Sequence, residues 1–86
     1  MNRLFRIRQE IQKIDRDIIL LLRRRFFLIS QVSRIKRKNR IATGHPEYED
    51  FLIKKNTSCL HQKLRKFILP VYKSIFDSSR KSQKKD

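Results

Sequence analysis

Between Leu4 and Ile35 the apolar residues of this chain advance by alternating steps of three and four: Leu4, Ile7, Ile11, Ile14, Ile18, Leu21, Leu28, Val32 and Ile35, with Arg25 standing between Leu21 and Leu28. That spacing is the seam of a helix packed lengthwise against other helices, and it excludes a strand, whose apolar residues alternate by two. The seam predicts one helix from about Arg3 to about Lys38, roughly 50 Å long at 1.5 Å per residue. Arg25 is its exception. A guanidinium buried among aliphatic side chains costs on the order of several kcal/mol unless an anion meets it there. The anion is either a protein acid, with Glu49 the main candidate, or a ligand.

At 86 residues the chain is one domain at most, spanning 1–86. Its self-contained core would be thin, which favours oligomerisation. One glycine, two prolines and an abundance of Leu, Ile, Lys and Arg point to an all-α fold of long helices and few tight turns. A single cysteine, Cys59, excludes an intramolecular disulfide framework and fits a reducing cytoplasm. His45 and His61 are too far apart in sequence to form a zinc cluster with it, so no metal is expected. The first residues run straight into charged amphipathic sequence with no secretory signal, and the longest apolar run, Ile18 to Leu22, is too short to span a bilayer.

The formal net charge is +15, with thirteen Lys/Arg against three acids in residues 1–40 and eight against two in residues 63–86. Such a surplus attracts nucleic acid, an anionic membrane or a small dianion alike, so charge does not choose among them. The tail residues Arg80, Lys81, Lys84 and Lys85 read most simply as a solvated helix end, where cations suit the dipole.

Asn39, Thr43, Gly44, His45 and Pro46 punctuate a loop, and Pro46 followed by Glu47, Glu49 and Asp50 marks a helix start. The second helix is expected over Pro46 to Lys55, with Phe51, Leu52 and Ile53 on one packed face. Asn56, Thr57 and Ser58 make a turn or cap. Leu60, Leu64, Phe67, Ile68, Val71 and Ile75 then trace a third helix, which Pro70 is expected to kink or divide. Steps of four beyond Ile75 reach Ser79 and Gln83: either the helix leaves the core there, or these polar groups face a site. Lys36 follows Arg25 by eleven residues, about three turns, and faces the same way, as a snorkelling lysine or as the second cation of a site. Arg8 precedes Arg25 by seventeen residues, about 25 Å along the same rod, too far for both to hold one small ligand. It is either a surface arginine or part of a site on another copy. Two long helices paired antiparallel would bring each Arg8 near the partner's Arg25, creating two equivalent mixed sites.

The run Ile7 to Arg25 holds an arginine at Arg8, an Ile-x-x-Ile-Asp pattern over Ile11, Ile14 and Asp15, leucines 20 to 22, and a second arginine at Arg25. It resembles the opening of the all-α, bacterial monofunctional class of chorismate mutase. Val32 and Lys36 follow at the family's spacing, Glu49 matches its second-helix glutamate, and Ile75 to Gln83 resembles the segment that ends Ser-x-x-x-Gln, with Ser79 and Gln83 in those places. Any one motif is weak, but Arg8, Arg25, Lys36, Glu49, Ser79 and Gln83 in order are specific, and the resemblance covers almost the whole chain.

The resemblance implies an intertwined homodimer of three-helix chains, each with one long, one short and one medium helix, and two active sites completed by the partner's Arg8. It implies the Claisen rearrangement of chorismate to prephenate, on the branch to phenylalanine and tyrosine, with no metal or cofactor. By the same resemblance Arg25 and the partner's Arg8 clamp the two carboxylates, and Lys36 and Gln83 donate to the ether oxygen. Ser79 helps to hold a carboxylate, Glu49 accepts from the ring hydroxyl and Val32 packs on the ring. Two positions depart from the family pattern: His45 stands where an aspartate is usual and Tyr48 where an arginine is usual, and both bear on substrate affinity. A histidine still hydrogen-bonds a hydroxyl, and Arg37, Lys38 or Arg40 are candidates to replace the cation. The same fold supports pyruvate elimination from isochorismate, a competing reading. A small basic helical nucleic-acid-binding module is the alternative of another class, but phosphate contacts belong on an exposed face rather than inside an apolar seam. The partners expected are therefore chorismate and a second copy of the chain, not nucleic acid or membrane.

Overall fold

The structure, a computed structural model, describes residues 2–41 and 46–83. These form three helices, α1 (Asn2–Lys38), α2 (Pro46–Thr57) and α3 (Gln62–Gln83), and no strand among the described residues. The all-α expectation holds, and α1 falls within a residue of the extent read from its seam.

α1 stops by its backbone rather than by a glycine. The Ile41 N–H donates to the Lys36 carbonyl at 2.8 Å and the Arg40 N–H to that of Arg37 at 3.2 Å, with Arg40 between them at φ 56°. This is the Schellman arrangement, which normally places glycine at the left-handed position because a Cβ there costs about 1 kcal/mol. Arg40→Gly is accordingly expected to stabilise the fold by about 1 kcal/mol, measured as a rise in the denaturant midpoint at unchanged slope. The loop residues Thr43, Gly44 and His45 lie outside the described residues, and with them the expectation attached to His45.

α2 opens as its sequence predicts, with Pro46 first and Glu47 and Glu49 in the first turn. It runs two residues beyond the expected Lys55 and ends on Thr57, which is buried and whose hydroxyl donates back to the Ile53 carbonyl at 2.6 Å. Of the expected packed face, Leu52 and Ile53 are half-buried, whereas Phe51 is exposed and stacks on Tyr48 with centroids 6.2 Å apart. Leu60 lies in the bend before α3, and His61 caps that helix by accepting the Lys63 N–H on Nδ1 at 3.2 Å.

α3 continues through Pro70 as a single helix, so the proline does not divide it. The proline leaves the Lys66 carbonyl without its helical donor, but Pro70 and Lys66 are both exposed and water can take that place.

α3 packs against both α1 and α2. Phe76, 4% exposed, is the one buried apolar side chain among the described residues, and its ring stacks on Tyr72 at 4.6 Å. The Tyr72 hydroxyl accepts from Asn56 Nδ2 at 2.8 Å, tying α3 to α2. The seam of α1 behaves differently from its pattern. Its aliphatic members stay exposed within one chain, from 43% at Val32 to 64% at Leu21. The chain measures 58 × 28 × 17 Å with a radius of gyration of 16.5 Å, against about 12 Å for a compact domain of this length. No helix among the described residues is long and apolar enough to cross a membrane.

Candidate active site

α3 crosses both other helices, and all three line one cavity of about 1020 Å³. The volume matches the upper range of small-molecule sites. The lining brings together Arg25, Val32 and Lys36 from α1, Glu49 from α2, and Ser79 and Gln83 from α3, six of the eight residues singled out in the sequence. Arg8 is not among them; it lies exposed in the N-terminal half of α1. His45 is outside the described residues.

Arg25 is half-buried, turned from the seam onto α3. Its Nη1 donates to Ser79 Oγ at 2.7 Å, and its guanidinium carbon lies 5.4 Å from the centroid of the Phe76 ring, close enough for a cation–π attraction. The stacked pair Tyr72–Phe76 is thus both the core and the platform under this charge. No protein carboxylate pairs with Arg25 among the described residues. Glu49, the acid expected to compete for it, is held instead by Arg80 Nη1 through its Oε2, while Arg80 Nη2 reaches Asp77. These two hydrogen bonds, the one to Glu49 first, raise the pKa of Arg80 above its ordinary value.

Ser79 is buried at 4% exposure because α3 presents it directly to α1. Its hydroxyl donates to its own helix at the Ile75 carbonyl, 2.8 Å away, and accepts from Arg25. One turn later Gln83 receives the Ser33 hydroxyl on Oε1 at 2.6 Å and donates from Nε2 to the Ser79 carbonyl at 3.2 Å. The polar end of the α3 stripe therefore lines the cavity.

Lys36 and Arg37 contribute two further cations to the lining, so that Arg25, Lys36, Arg37 and Arg80 surround a single acid, Glu49. Of the three cations considered as replacements at the Tyr48 position, Arg37 lines the cavity and Lys38 and Arg40 do not. Arg80 is the cation that sequence reasoning assigned to a solvated tail. It remains exposed, yet it crosses to α2. Its position one residue after Ser79 and three after Asp77 was the signal available. Ser33 was missed as well, because a serine in a helix carries no pattern of its own.

An electropositive pocket with a single carboxylate, Glu49, and amide or ammonium donors on Lys36, Asn56 and Gln83 suits a small polyanion that also carries a hydroxyl. The model of the chorismate mutase type II family matches residues 7–84, a span that includes every described lining residue and Arg8. The chain belongs to the chorismate mutase type II family. Comparison with curated proteins and with solved structures found no match. Chorismate mutases are isomerases with a small-molecule substrate, and membership gives the chain that enzyme class.

Proposed function

We propose that the chain rearranges chorismate to prephenate in the cytoplasm, on the route to phenylalanine and tyrosine, as a homodimer with two shared sites. The observation that carries this is Arg25: a seam arginine directed into a cavity, seated on Ser79 and Phe76, with no acid paired to it among the described residues. Chorismate carries two carboxylates, and a planar guanidinium matches a carboxylate bidentately. Arg25 takes one carboxylate, with Ser79 turning its hydroxyl from the Ile75 carbonyl toward the same group, and the partner's Arg8 takes the other. Lys36 and Gln83 donate to the ether oxygen, where negative charge grows as the carbon–oxygen bond breaks. Glu49 accepts from the ring hydroxyl on Oε1, its Oε2 being occupied by Arg80. Val32 packs on the ring. Catalysis then consists of holding the compact reactive conformer and stabilising developing charge.

The second copy is supported by three observations. The aliphatic seam of α1 is exposed in a single chain. The accessible surface is 7980 Å², where a compact monomer of this mass exposes about 5,500 Å²; the excess is the size of an obligate dimer interface. Leu28 and Val32, though they line the cavity, are about half exposed, so one wall is unfinished. The antiparallel pairing of two α1 helices covers the seam, closes that wall and brings the partner's Arg8 to it. Arg37 and Arg80 supply the positive charge that Tyr48 does not.

The test is a spectrophotometric assay of chorismate loss by the purified protein, with isochorismate in a parallel arm. Consumption of chorismate to prephenate is expected. Pyruvate release from isochorismate with chorismate untouched would instead assign the eliminating activity. Lys36→Ala should lower kcat by about 10²–10³-fold, the usual loss for one transition-state donor; turnover at the wild-type level rejects its assignment.

A further inference from the structure

Gln83 is the proposed ether-oxygen donor whose chemistry depends on which way round it sits. A carboxamide has a donor end and an acceptor end of nearly the same size, and a half-turn about its last bond would present lone pairs to an oxygen that is becoming negative. Two neighbours decide the matter. Gln83 reaches the Ser79 backbone carbonyl at 3.2 Å with one end of its amide and Ser33 Oγ at 2.6 Å with the other. A backbone carbonyl only accepts, so the end facing it must be the amino group, since the reverse would set two acceptors against each other. The oxygen end therefore faces Ser33, whose hydroxyl must be the donor.

Ser33 is built for this contact. It is the buried residue of α1, 7% exposed, and its partner lies fifty residues away on α3. A serine within a helix usually turns its hydroxyl back to the carbonyl four residues earlier, as Ser79 does to Ile75, but Ser33 reaches across the helix interface instead. The second N–H of Gln83 has no partner among the described residues, on a side chain that lines the cavity.

We infer that Ser33 is a positioning residue: by donating its hydroxyl to Oε1, it fixes the Gln83 carboxamide with a free N–H, rather than a lone pair, available to the cavity. The catalytic consequence rests on the reading of Gln83 as the ether-oxygen donor. Without the hydroxyl, Oε1 loses its partner, and the amide samples orientations in which that N–H no longer meets the substrate. Substrate binding, which depends on the carboxylate clamps, is barely affected.

The experiment uses the full chain. Alanine is the best helix former, so Ser33→Ala should keep α1 intact. For chorismate its kcat is expected to fall about tenfold with KM within about twofold of wild type, the loss of one oriented hydrogen bond. In a Gln83→Ala background the same substitution should have no further effect on kcat. A second readout needs no activity: in ¹⁵N NMR of the substrate-free protein the Gln83 side-chain amide should give a rigid, well-dispersed pair of resonances that becomes mobile in Ser33→Ala. An unchanged Gln83 amide in Ser33→Ala overturns the inference, as does a full additional loss of kcat in the Gln83→Ala background. A wild-type protein inactive on chorismate but with the Ser33-dependent amide order intact would remove the mutase reading while upholding the fixed amide.

Discussion

Arg25→Ala is expected to lower kcat/KM for chorismate by about 10³-fold or more while leaving the far-ultraviolet circular dichroism unchanged. A guanidinium binding a carboxylate makes two charge-assisted hydrogen bonds, each worth about 1.5–3 kcal/mol, and together on the order of 4 kcal/mol, or about 10³ in rate. The fold should tolerate the loss. Within the chain Arg25 touches Ser79 and the Phe76 ring, and without it Ser79 keeps its bond to the Ile75 carbonyl. Arg25→Lys sharpens the test, because it retains the charge but not the planar fork and should recover only a small part of the activity. Activity of Arg25→Ala within about tenfold of wild type would show that its anion is not the substrate, since one charged bidentate contact outweighs that margin.

The second large effect is a recovery. Arg8→Ala and Arg25→Ala are each expected to be nearly inactive alone. When the two are unfolded together and refolded as a mixture, about a quarter of wild-type activity should return. In a two-fold dimer each site draws Arg25 from one chain and Arg8 from the other, so a mixed dimer contains one intact site and one lacking both arginines. Random pairing makes half of the dimers mixed, each with half of its sites active. If both arginines served a site within one chain, no mixture would regain activity. The separation of the two residues along α1 already argues for the shared arrangement: seventeen residues of helix, about 25 Å, lie between them, and Arg8 does not line the cavity.

The seam made α1 legible almost to the residue, because a 3–4 periodicity over nine turns leaves little freedom about secondary structure. The start of α2 was equally readable from Pro46 and the acids after it. The end of α2 and the continuity of α3 were not. Thr57 and Pro70 have opposite effects in different surroundings: a threonine hydroxyl can cap a helix or bond back into it, and a proline breaks a helix only where the freed carbonyl cannot be served otherwise. The cavity was legible where a polar residue interrupted an apolar stripe, as at Arg25, Ser79 and Gln83. It was illegible where contacts join separate helices through residues that follow no stripe. Arg80 looked like one more basic residue near a solvated end, and only the crossing of α3 over α2 places it on Glu49. Ser33 had no signal until its distance from Gln83 was known. The exposed seam was a different kind of discrepancy: the pattern records a burial that one chain does not supply.

That Phe76 is the single buried apolar side chain among the described residues has a thermodynamic consequence. One phenylalanine contributes about 1.5–3 kcal/mol on burial, far below the conformational entropy of ordering three helices. If a second copy covers the seam, folding and association become one equilibrium, and the melting temperature rises with protein concentration. A substrate held between arginines from two chains then belongs to the same equilibrium: it binds the folded pair alone, and by mass action draws unfolded chains into it. Abundance of the chain and abundance of its substrate would jointly set how much folded enzyme exists, so dilution and starvation for chorismate would act on this protein in the same direction.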